Sequence, residues 1–159
     1  PALKSPRPGR SSSDAMEEVF SGFVCGFVMS IVATPPFALW VTKSRDDIPF
    51  VRNTVPQGMP LTLLSIPIAS FFFLVWTGLG LVFGMLLIAA NDSHPQGGLG
   101  SPNLLFTVIV LSTAVIVFSP FLVLVRSARR LTLFLALTYV ALFGWATPIL
   151  AHYASTRST

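Results

Sequence analysis

The sequence predicts an all-α, polytopic integral membrane protein built from four proline-kinked transmembrane helices. Three observations carry that expectation. The 159-residue chain is 53% hydrophobic and only 10% charged, where an ordinary soluble domain is about 25% charged. The charges are segregated. No Asp, Glu, Lys or Arg lies within Val19–Thr42, Asn53–Asn91, Ser93–Val125 or Leu131–Thr156. Each of these blocks holds an apolar run long enough to cross a hydrocarbon core of ~30 Å at ~1.5 Å per helical residue.

Residues 1–18 read as a flexible N-terminal tail. Their Pro, Ser and Arg content offers no repeating apolar face. Ser13 ahead of Met16-Glu17 resembles a helix N-cap with an acid in the first turn. A transmembrane helical domain follows over 19–153. Its first helix is expected over 19–42. Pro35-Pro36 removes two backbone donors there, so the helix should bend or break. Ser30, Thr34 or another helix would then serve the freed carbonyls. A break at the prolines would turn this block into a re-entrant segment and leave three crossings.

The first joint, Lys43–Pro60, carries Lys43, Arg45, Asp46, Asp47 and Arg52. Its Pro49-Phe50 pair predicts a loop lying against the interface. Asp46-Asp47 has no third acidic ligand nearby and reads as solvated. The second apolar block, Leu61–Ala90, contains no titratable Asp, Glu, Lys, Arg or His. Its helix is expected over 66–90, which seats Pro67 in the first turn. Trp76 falls mid-helix, where its indole N–H calls for an internal partner.

Asn91–Pro102 is a turn-rich loop of Gly, Pro, Asn and Ser. Asn91-Asp92-Ser93 matches the glycosylation acceptor pattern, but it abuts a membrane segment. Gly97-Gly98-Leu99-Gly100 lacks the strand and the Lys-Ser/Thr ending of a phosphate loop. The third helix is expected over 104–125, bent by Pro120. Its many β-branched residues would suggest strands in water, but a lone strand cannot satisfy its backbone in lipid. The fourth is expected over 131–151, with Pro148 near its end and Tyr139 at its centre. Trp145, His152 and Tyr153 mark its interface. The short joint between these helices makes them an antiparallel hairpin. Residues 154–159 form a C-terminal tail.

Positive charge sets the orientation. Lys43, Arg45 and Arg52 in the first joint and Arg126, Arg129 and Arg130 in the third make six. Lys4, Arg7, Arg10 and Arg157 at the other end make four of the ten. The first and third joints are therefore expected in the cytoplasm, with both termini outside. Lys43, Arg45, Arg126, Arg129 and Arg130 would meet lipid headgroups.

The same positions exclude a nucleic-acid reading of the +4 net charge, since no soluble element bears a basic face. The single cysteine, Cys25, rules out an intrachain disulfide and a cysteine metal cluster. No carboxylate, lysine or arginine lies in an expected membrane core. That weighs against a charge-coupled transporter or a voltage sensor. Asp92-Ser93-His94 is adjacency in a loop, not a triad.

Two small-residue ridges remain, Gly22-x-x-x-Gly26 and Gly80-x-x-x-Gly84, with Gly78 beside the second. Such ridges let helix backbones approach closely, within the chain or against a partner. Gly144 with Pro148 is a weaker one. The functional expectation is a small non-enzymatic accessory, assembly or scaffold subunit of a larger membrane complex. Its partners would be membrane lipids and other membrane subunits or a second copy, with no cofactor or metal. The alternative is a transporter or channel component for an apolar or lipid-like molecule.

Overall fold

The computed structural model describes residues 12–44, 49–54, 56, 58, 60–93 and 103–155. The described elements are helical. They are α1 (Ser12–Lys43), α2 (Pro49–Thr54), α3 (Leu61–Ser93), α4 (Leu104–Leu124), a 3₁₀ turn (Arg126–Ala128), α5 (Arg129–Tyr139), a π-helical segment (Val140–Ala146) and α6 (Thr147–Ser155). The last four form one helical run. Among the described residues four segments are long and apolar enough to cross a membrane: Ala15–Lys43, Thr62–Asp92, Leu104–Val123 and Arg126–Ala154.

Several elements start earlier than the apolar pattern indicates. α1 begins at Ser12, so Asp14, Glu17 and Glu18 belong to a helix rather than to a tail over 1–18. It runs unbroken through Pro35-Pro36 to Lys43. Ser30 donates to the Phe27 carbonyl at 2.7 Å, and Thr34 donates to the Ser30 carbonyl at 2.7 Å. Neither reaches the Ile31 or Val32 carbonyls, which the prolines deprive of their i+4 donors.

α3 begins at Leu61, not Ile66, and holds Pro67 in its interior. The Pro60 carbonyl accepts from Leu63 N at 3.0 Å and Leu64 N at 3.2 Å. Leu64 is buried against Val41 of α1, with Phe37, Trp40 and Ile68 packed around the pair. That tertiary contact holds the turn ahead of the proline, which helix propensity alone disfavours. Pro49-Phe50 opens the short helix α2 rather than a plain loop. Arg45, Asp46, Asp47, His94 and the Gly97–Gly100 run lie outside the described residues.

α1 and α3 pack most extensively. α1 also packs on the last helical run, and that run packs on α4. One core joins all four: Cys25 and Met29 of α1, Trp76 and Phe83 of α3, Phe106 and Phe118 of α4, and Tyr139 and Phe143 of the last run. Large apolar side chains also cover the outside. Leu74, Ile116, Val123 and Leu137 are among the most exposed. An apolar exterior of this extent suits a lipid environment, since soluble monomers rarely expose wide apolar patches.

Candidate functional site

Four features combine polar or small residues in positions that the packing fixes. The first is the α1–α3 seam. A Cβ added to Gly22 would strike the Gly80 carbonyl oxygen and lie 2.8 Å from Gly84 N. One on Gly26 would strike the Trp76 carbonyl oxygen and lie 2.9 Å from Thr77 Cα. One on Gly84 would lie 2.7 Å from Val19 Cα and 2.8 Å from the Glu18 carbonyl oxygen. The two glycine ridges therefore face each other within this chain, backbone against backbone. Gly78 stands apart, with nothing within 4 Å of an added Cβ. At Gly144 an added Cβ would make ordinary 3.8 Å contacts with Val110 and Val140.

The second feature is a buried aromatic and hydroxyl cluster around Tyr139, which is fully buried. Its ring lies 5.0–6.0 Å, centroid to centroid, from those of Trp76, Phe83, Phe118 and Phe143. Its hydroxyl sits 2.9 Å from Thr113 Oγ1. Thr113 Oγ1 also lies 3.0 and 2.9 Å from the Ile109 and Val110 carbonyls, which can only accept. The single Thr113 proton goes to those carbonyls, so the Tyr139 O–H donates to Thr113. Trp76 is buried, but its indole N–H finds no hydrogen-bond partner. The internal partner called for by the sequence is thus absent among the described residues. Ring packing on Phe72 and Tyr139 holds the side chain instead.

The π-helical segment begins directly after Tyr139. Pro148 explains its position. The proline ring crowds the Gly144 carbonyl and brings no donor, and a wider turn relieves both. Thr147 N–H reaches the Leu142 carbonyl, five residues back, and Thr147 Oγ1 donates to the same oxygen at 3.1 Å. Phe143 of the segment is fully buried in the core that the four long helices share.

The third feature is a polar chain at the end of the bundle where α3 stops and α4 starts. Asn91 Nδ2 donates to Glu18 Oε1 at 2.9 Å. Asn103 Nδ2 donates to Asn91 Oδ1 at 3.1 Å. Asn103 Oδ1 accepts from Leu105 N at 3.1 Å and Phe106 N at 3.4 Å, which caps α4. Three helices are linked through three side chains. Asn91 Nδ2, the atom a glycan would require, is engaged in this chain.

The fourth feature is the basic end. Lys43, Arg126, Arg129 and Arg130 are exposed, on the side where α1 and α4 end and α5 begins. Arg129 Nε donates to the Leu122 carbonyl at 3.0 Å and closes the C-terminus of α4.

Neither Asn103 nor Thr113 stands out in the sequence as a site residue. Asn103 directly before an apolar run is an N-cap signal. Thr113 carries no such signal, because its partner lies 26 residues away. Among the described residues no three His, Cys, Asp or Glu side chains cluster as a metal site would need. No family model, curated protein or solved structure matches the chain.

Proposed function

We propose that this chain is a multi-pass membrane protein that works as an accessory or assembly subunit of a larger membrane complex, with α4 as its docking helix. The observation that carries this reading is how little α4 is covered. Only 22% of its apolar span is buried, against 28% for the last helical run and 39% for α1 and for α3. Leu105, Ser112, Ile116 and Val123 line one exposed stripe of α4 at spacings of seven, four and seven. That spacing keeps one helix face in register for a second helix. The glycine ridges are taken up within the chain, so a partner would meet α4 rather than the seam. Prolines inside all four spans would bend the helices and shape that face.

The test combines co-purification with a structural control. The tagged chain, extracted in mild detergent, is expected to bring other membrane subunits in fixed stoichiometry. Ile116→Trp is expected to abolish that association and leave the melting temperature unchanged. A chain that runs alone as a monomer would defeat the subunit reading.

A second reading is a carrier for an apolar or lipid-like molecule. An apolar groove between α4 and the last helical run, lined by Leu111, Val115, Leu122 and Ala136, supports it. Flux of a fluorescent lipid across reconstituted vesicles, blocked by Ala136→Phe, would favour this reading over the first.

A further inference from the structure

A groove of about 250 Å³ runs between α4 and the last helical run. On one side it follows α4 from Leu111 to Leu122, and on the other it meets Ala136 and Val140. Leu111 and Leu122 are eleven residues apart. At ~1.5 Å per residue that is about 16 Å, close to half of a ~30 Å hydrocarbon core. The groove is thus about one leaflet deep. It starts mid-span and ends at the basic end of the bundle.

What stands at that end identifies the occupant. Leu122 lines the groove, and its carbonyl is bonded by Arg129. Arg126, Arg129 and Arg130 are exposed around that point, and the joint Val125–Arg130 contains no acidic residue. Guanidinium groups hold phosphate through paired, charge-assisted hydrogen bonds. An apolar slot one leaflet deep beneath three arginines matches an acyl chain beneath an anionic headgroup. A zwitterionic headgroup offers the same phosphate but adds a cation that the arginines repel, so the cluster favours a headgroup with net negative charge.

We infer that the α4–α5 groove is a binding site for one anionic phospholipid, with an acyl chain along Leu111–Leu122 and the phosphate at Arg126, Arg129 and Arg130. This rests on the membrane-spanning part of the proposed function and not on any protein partner. The lipid would fill the space between two helices and stabilise their packing.

The test uses the full chain in nanodiscs of equal phosphatidylglycerol and phosphatidylcholine, released into native mass spectrometry. One phosphatidylglycerol should be retained over phosphatidylcholine by about tenfold. Combined Arg126→Gln and Arg130→Gln should bring the two lipids to about even retention. Ala136→Phe should lose both, and so should Val115→Phe, which enters the groove from its exposed side and leaves the core intact. Melting in phosphatidylcholine alone should be the same for wild type and the arginine variant, which shows that both are folded. Equal retention of the two lipids by the wild type would overturn the site. So would an unchanged preference in the arginine variant, or lipid kept by both groove variants. A chain that stays dispersed without detergent or lipid would instead overturn the membrane reading beneath it.

Discussion

Gly22 of α1 and Gly80 of α3 meet with no side chain between them, and each blocks a Cβ on the other. An added Cβ at Gly22 collides with the Gly80 carbonyl oxygen, and one at Gly80 collides with that of Gly22. The obstacle in both cases is backbone, which cannot rotate aside as a flexible side chain can. Close approach of this kind gains dispersion contacts over the whole seam, the main source of helix association in lipid.

Gly22→Ala and Gly80→Ala should each destabilise by about 1–3 kcal/mol, the usual range for overpacking a tight contact. Gly78→Ala should be neutral or slightly stabilising, because nothing lies near its Cβ and Ala is the better helix former by ~1 kcal/mol. Gly144→Ala should also be tolerated. Thermal melting in one detergent compares the four variants. Equal losses at Gly78 and Gly22 would show that the seam is not as tight as drawn.

Much of this arrangement is legible in the sequence, because apolar length and charge position are one-dimensional properties. The uncharged blocks locate the four long helices, and the glycine spacing marks the ridges that meet. The start of α1 is marked within a residue by the Ser13 cap signal, but the start of α3 is not legible, for a physical reason. Helix pairing in space holds Leu61–Ile66 through Leu64 and Val41, and no local signal reports that contact. The π-helical segment is equally hidden. Pro148 announces a disturbance, but not whether the helix will kink or widen. The clusters of Tyr139 with Thr113, and of Glu18 with Asn91, depend on partners 26 and 73 residues apart.

The Tyr139–Thr113 pair should respond asymmetrically. Tyr139→Phe removes a donor and leaves Thr113 bonded to its own helix. It should cost under about 1 kcal/mol, in line with interhelical hydrogen bonds in membranes. Thr113→Val keeps the ring packing but strands the buried phenol O–H, which costs about 1–3 kcal/mol. The double variant should then resemble Tyr139→Phe alone. A melting series over the three variants checks the order. A Tyr139→Phe loss exceeding that of Thr113→Val would mean that the hydroxyl has another role.

Asn91 receives from Asn103 and donates to Glu18, so it is the middle link of the chain joining α1, α3 and α4. Asn91→Ala should cut both links and destabilise by about 1–3 kcal/mol, the penalty for leaving part-buried polar groups unmatched. Glu18→Gln should be milder, since an amide oxygen still accepts from Asn91 Nδ2. Hydrogen exchange of the first turn of α4 supplies a local readout. Faster exchange at Leu105 and Phe106 is expected in Asn91→Ala, because the capping Asn103 loses its anchor. Unchanged exchange there would separate the cap from the chain.

Orientation yields the remaining prediction. Six of the ten cationic residues belong in sequence to the first and third joints and four to the tails, so the positive-inside bias should put the α1–α3 and α4–α5 joints in the cytoplasm. The bias is modest, and the continuity of α1 does not add to it, since a crossing α1 counts Lys4, Arg7 and Arg10 on the outer side. If α1 crosses, its unbroken run from Ser12 to Lys43 puts those two residues on opposite faces. Single-cysteine labelling can test this, because the native Cys25 is buried. Cysteines at Ser5, Gly98 and Ser158 should react with a membrane-impermeant maleimide on intact cells. Cysteines at Asn53 and Ser127 should react only after permeabilisation. A fully inverted pattern would retain four crossings and reverse the orientation. Labelling of Ser5 together with Asn53 would mean that α1 does not cross, and the four-crossing reading would fail.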